Sequence, residues 1–166
     1  MEYAEYEGIL AKLHEVEADD MSAFYGRLRV LRDRAGVPLA SSPGKGKRRQ
    51  FSDLDLWETH LALRLAAAGF PPQRIGLFFS KWVRPENVYQ RVREHGNRGV
   101  PSLPARDDLF MLVTTHLNVG KGSEAEQTKH SVHLMTPVSL NVHFMIMRQS
   151  HVQFVLNVSS LTAELF

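Results

Sequence analysis

Between residues 21 and 50 the chain carries Arg27, Arg29, Arg32, Arg34, Lys45, Lys47, Arg48 and Arg49 against a single acid, Asp33, a local charge of +7. Guanidinium and ammonium groups at that density neutralise phosphate, and the arginine fork also matches the O6/N7 edge of guanine. The bases fall in two places. Four lie in a run where Phe24, Leu28 and Leu31 recur at i, i+4 and i+7, the spacing of an apolar helix stripe. The other four lie in the segment 40–50, ASSPGKGKRRQ, where Pro43, Gly44 and Gly46 forbid a regular helix. A basic helix followed by a basic loop suits a reader of double-stranded DNA, one element for the groove and one for the phosphates.

Other chemistries find little support. The absence of cysteine removes disulfides, thiolate metal sites and a thiol nucleophile. No phosphate-binding loop, H-E-x-x-H or nucleophile elbow occurs, so no enzyme, no catalytic residue and no cofactor is expected. His116, His130, His133, His143 and His151 crowd the last third, without an H-x-H or H-x-x-x-H pair and without alternating acids. They are expected to be ordinary strand residues and not a metal site.

The elements that must position the basic groups follow from periodicity and punctuation. A helix is predicted over 3–16 from Ile9, Leu10 and Leu13, then a polar break at 17–20, with Asp20 or Ser22 as a cap for the next helix over 21–35. Gly36 and Pro38 end that helix. Ser52, with Asp55 three residues on, opens another, whose inward face is Leu54, Trp57, Leu61, Leu65 and Ala68. Gly69 ends it, Pro71 and Pro72 start the next, with Ile75, Phe78, Phe79 and Trp82 buried, and 85–95 forms a further short helix. Residues 97–108 read as a linker. Beyond it the period changes to two, predicting strands at 109–118, 130–135, 139–148 and 152–159. The expected class is α+β: an N-terminal winged helix-turn-helix domain at 1–96 and a small β-rich effector or dimerisation region at 109–166. Strands so apolar need cover, which predicts a homodimer.

The chain has 166 residues, 43% hydrophobic, enough for a packed core, and a net charge of only +2. That total hides the asymmetry: residues 1–20 carry seven acids and Lys12, a charge of −6. No apolar run suits a signal peptide or a membrane span, so a cytoplasmic protein with no membrane partner is expected.

Three runs in order resemble MerR-like winged helix-turn-helix proteins over about 8–82. They are LRVLRDRAGVP at 28–38, KRRQFSDLDL at 47–56 and LAAAGFPPQRI at 65–75. They are similar, in turn, to the family's recognition helix, its wing-to-helix junction and its Gly-Phe turn between helices. The resemblance implies a recognition helix bearing Ser22, Tyr25, Arg27, Arg29 and Arg32, with Arg29 foremost, and a wing bearing Lys45, Lys47, Arg48 and Arg49. Leu31 stands where the family commonly has tyrosine, the helix end is one residue longer, and neither the long C-terminal dimerisation helix nor the metal-sensing cysteines are evident. The implied function is a sequence-specific DNA-binding transcription regulator, with double-stranded DNA, a second copy of the chain and RNA polymerase as partners. The alternatives are an excisionase-like architectural DNA-binding protein and a protein-interaction adaptor with a basic docking face.

Overall fold

The computed structural model describes residues 1–39, 49–96, 110–116, 129–135 and 152–157, together with Thr162 and Leu165. The chain divides into two compact units, Met1–Tyr89 with Glu164–Phe166, and Gln90–Ala163.

In the first unit the helical spacing of apolar residues becomes helices. Helix α1, Tyr3–Leu13, buries Tyr6, Leu10 and Ala11. A 3-10 turn at Ala18–Asp20 runs directly into α2, Met21–Val30, and a π turn at Leu31–Ala35 extends it. The expected side-chain cap on α2 is not formed. Asp20 is already helical, at φ −93° and ψ −4°, and a capping residue must be extended for its side chain to reach the first free N–H groups. Gly36 closes this helix in the left-handed region at φ 61°, and the Val37 N–H reaches back to the Leu31 carbonyl at 3.2 Å.

Helix α3, Asp53–Ala67, starts with a complete capping box. Ser52 Oγ accepts from the Asp55 N–H at 3.2 Å, and the Ser52 N–H donates to the Asp55 carboxylate at 2.8 Å. Helix α4, Pro72–Phe78, follows and continues into a π turn at Phe79–Val83; helix α5, Val88–Gly96, starts at the end of this unit, and its residues from Gln90 on belong to the second. Phe78 and Phe79 are buried as expected, but Trp82 is only half-buried.

The inward face expected for α3 needs correction. Leu54 is 44% exposed and Ala68 is exposed, whereas 56–63 are buried without a gap. A helix buried on all sides has neighbours on all sides, and α3 is the central rod with α1 and α4 against it. Three of its buried residues are polar, and each is bonded by a different part of the chain. Glu58 accepts from Arg84 Nε and Nη2, both at 2.8 Å. Thr59 Oγ1 accepts from the Tyr6 hydroxyl, and burial pushes that hydroxyl well above the ordinary tyrosine range. His60 Nδ1 lies 3.0 Å from His14 Nε2, so one proton serves that pair. Polar groups buried this deeply persist only when paired.

Helix α4 crosses the end of the α2 rod at very close range. A Cβ added at Gly76 would lie 2.6 Å from the Ala35 carbonyl oxygen and 3.0 Å from Ala35 Cα. Only glycine permits that approach. Arg84 fastens the same corner by donating to the Gly36 carbonyl at 2.9 Å.

In the second unit three strands are described: β1 Phe110–His116, β2 Lys129–Met135 and β3 Val152–Asn157, in the order β2-β1-β3. Both pairings are antiparallel, with Leu112 opposite His133 and Val155, and Thr115 opposite His130 and Val152. The expected α+β class, a winged helix followed by a β-rich region, is corrected. The unit with a described core is helical and, among the described residues, has no strand. Among the described residues no packed β-rich region accompanies the three strands. The physical reason is that period-two alternation specifies a local extended backbone and does not by itself supply a layer to bury it. The expected strand at 139–148 and the loop at 40–48 lie outside the described residues.

Candidate nucleic-acid interface

The α2 rod is held on one side only. Phe24, Leu28, Leu31 and Ala35 form its buried stripe, with Phe24 beside the His14 ring and Ala35 under Gly76. The spacing that buries this stripe turns another outward. Ser22, Tyr25 and Arg29 recur at i, i+3 and i+7, so they share one exposed face. Tyr25 is 41% exposed. Among the described residues Arg29 has no hydrogen bond or ion pair, so its five donors point into solvent. No acid is adjacent to it on its own turn; Asp33, one turn on, is engaged by Arg32.

Arg32 continues this face, but its guanidinium is directed. Its Nε donates to Asp33 at 3.0 Å, and that carboxylate, chiefly, holds Arg32 above its ordinary range. The phenol of Tyr3 on α1 also faces it, and burial, followed by the nearby Glu7, raises Tyr3. Glu2, Tyr3, Arg32, Arg49 and Phe51 line a shallow cleft of about 530 Å³ beside the exposed face. Tyr3, 46% exposed, borders the candidate surface and was not found from the sequence. Its spacing of three from Tyr6 was the available signal.

Arg27 stands apart from the others. At 3.6 residues per turn it lies roughly 160° around the helix from Arg29. There it joins Ala23 and Val30 on the wall of a different cleft. The five sequence-predicted positions on α2 therefore do not form one surface: Ser22, Tyr25, Arg29 and Arg32 come together, and Arg27 does not.

Of the four wing candidates, Lys45, Lys47 and Arg48 lie outside the described residues. Arg49 is described and turned inward. Its Nη2 donates to Asp55 and to the Leu39 carbonyl, each at 3.0 Å, and its guanidinium covers the Phe51 ring at 4.5 Å. Its side chain is 17% exposed. That arrangement makes Arg49 the clasp between Leu39 and the start of α3, with little left to offer a phosphate. The clasp is reinforced by Met1 and Phe51, which exchange two backbone hydrogen bonds at 2.8 and 2.9 Å. Phe51 stacks on Tyr6 at 4.2 Å.

Among the described residues no group of three or more histidines, aspartates and glutamates could hold a metal ion. In the backbone register of the described strands, no histidine is opposite another: His116 pairs with Lys129, His130 with Thr115 and His133 with Leu112. His143 and His151 lie outside the described residues. No helix among the described residues is long and apolar enough to cross a membrane.

Comparison with known proteins returns no family model, no curated protein and no solved structure that matches this chain.

Proposed function

We propose that the protein is a sequence-specific DNA-binding transcription regulator that acts in the cytoplasm and reads DNA with the exposed face of α2. The observation that carries this reading is the stripe Ser22, Tyr25 and Arg29. It holds a hydroxyl, a phenol and a guanidinium without an ion pair, on a helix anchored in the core through a different stripe, Phe24, Leu28 and Leu31. A recognition helix needs that combination. Its polar face must enter the major groove, which an α-helix fills, while the rest of the domain braces it. In this reading α1 is the brace, Arg29 forks onto a guanine edge, and Tyr25 and Ser22 donate to bases or phosphates. Lys45, Lys47 and Arg48, further along the sequence, neutralise phosphates, while Arg49 is held by Asp55. The MerR-like runs support the same assignment. A second copy of the chain would supply the second half-site, and RNA polymerase would be the partner at a promoter.

The test is a footprint on the best genomic site, followed by salt titrations of Arg29→Ala and of Lys47→Ala with Arg48→Ala. The Arg29 variant should lose about 1–3 kcal/mol on the specific site and little on random DNA. The loop variant should weaken both equally and flatten the salt dependence by about one ion per lost contact. Tandem sites at a recombination locus, in place of one site near a promoter, would convert the assignment to an architectural role. No sequence preference, with Arg29→Ala binding like the wild type, would overturn it.

A further inference from the structure

A cleft of about 790 Å³ opens in the first unit between α2 and the last turns of α3. Its wall from α2 is the stripe Ala23, Gly26, Arg27 and Val30, on the side of the helix away from Arg29. Leu63, Ala66 and Ala67 of α3 line it too, with Phe70, Pro72, His14 and Val16. The volume lies within the range of small-molecule sites. The residues that keep it open are small: Ala23, Gly26, Ala66 and Ala67. A Cβ at Gly26 would meet nothing within 4 Å, so the space beside this exposed stretch of the helix is open.

The chemistry of the lining is specific in one respect. Its lining side chains are mostly apolar, and among the described residues Arg27 is the one Lys, Arg, Asp or Glu that lines it. Among the described residues Arg27 has no hydrogen bond or ion pair, although its planar fork is suited to a carboxylate. His14 is hydrogen-bonded to His60. A hydrophobic trough with one unpaired guanidinium at its wall matches a ligand with a hydrophobic body and a single anionic head.

We infer that this cleft binds a small monocarboxylic acid with an apolar body, its carboxylate on Arg27 and its body along Ala23, Val30, Leu63, Ala67 and Phe70. The site is separate from the DNA-facing stripe and does not rest on nucleic-acid binding.

The experiment uses the full chain, with decanoate and indole-3-acetate as probes, followed by calorimetry and by amide NMR shifts. Decanol, decylamine and indole serve as matched probes lacking the negative charge. Two variants are compared, each checked for wild-type circular dichroism and melting. Arg27→Gln removes the charge from an exposed position. Gly26→Leu places a side chain where no atom now stands and fills the cleft while favouring the helix. The expected result is saturable binding of at least one acid, with shifts at Ala23, Val30, Ala67 and Phe70. Arg27→Gln should weaken it tenfold or more, and Gly26→Leu should abolish it. The neutral probes should bind at least tenfold more weakly, and the amine not at all. Absence of saturable binding by both acids overturns the inference. So does equal binding of acid and alcohol, or acid binding that survives both substitutions unchanged.

Discussion

Replacing Arg84 with methionine should be among the most damaging single changes in the helical unit. The Glu58 side chain is 4% exposed, and both its oxygens accept from Arg84 at 2.8 Å. Its other described contact, the Leu39 N–H at 3.4 Å, is long. Arg84→Met therefore strands a carboxylate in the core and also removes the donor from the Gly36 carbonyl at the end of the α2 rod. Breaking one side of a buried pair costs about 3–5 kcal/mol, a large share of the roughly 5–15 kcal/mol that holds a domain folded. Glu58→Leu should fall at the lower end of that range, because Arg84 is 22% exposed and keeps part of its hydration. The pair taken together is different. Glu58→Leu with Arg84→Met replaces two desolvated charges with apolar volume. It should lie within about 2 kcal/mol of the wild type, the loss at Gly36 being the main residual cost of about 1 kcal/mol. The double-mutant cycle should then give a coupling of at least about 2 kcal/mol. Urea unfolding followed by circular dichroism and by fluorescence of Trp57, which precedes Glu58 on α3 and is buried beside Tyr89 of α5, reads all four proteins. A cost below about 1 kcal/mol for Arg84→Met, or a double variant as unstable as the sum of the singles, would refute the reasoning.

Two glycines on neighbouring helices should respond in opposite directions to the same substitution. Gly76→Ala drives a methyl group into the Ala35 backbone and should cost about 1–3 kcal/mol, whereas Gly26→Ala meets nothing and should gain about 0.5–1 kcal/mol; thermal melts of both decide it. Asp55→Ala removes the capping box and the Arg49 clasp together. It should cost about 1–2 kcal/mol in urea unfolding, with Ser52→Ala costing less because it leaves the clasp intact. The Tyr6 hydroxyl is raised by burial, so the folded state holds its proton more tightly than the unfolded chain does. That stability is fully present below pH 10, the ordinary value for tyrosine, and is lost above it at about 1.4 kcal/mol per pH unit. Tyr6→Phe should flatten the decline between pH 10 and 11 relative to the wild type, and parallel declines would contradict the assignment.

The local signals in the sequence are the ones that need no distant partner. Gly36 ends its helix because a left-handed residue is required there, Ser52 and Asp55 cap α3 through bonds three residues apart, and Pro72 opens α4 where a missing N–H costs nothing. The buried stripe Phe24, Leu28 and Leu31 was legible for the same reason: helical spacing alone places the three on one side. The charge block of +7 at 21–50 was legible by counting.

Which of those charges is available was decided by the tertiary structure. Arg29 and Arg49 look alike in the sequence, yet the first is open to solvent and the second is clasped by Asp55, Leu39 and Phe51. Arg27 looks like a neighbour of Arg29, but the turn of the helix carries it to another cleft. The buried polar run Glu58, Thr59 and His60 resembles a solvated face until its partners arrive from 26, 53 and 46 residues away. The class of the fold was decided in the same way, since alternation at the C-terminal end could specify extended backbone but not what surrounds it. By itself the sequence fixes geometry within a turn or two, where backbone hydrogen bonds and side-chain spacing act. Burial and charge pairing depend on groups far apart in the chain, and only the packed molecule brings those together.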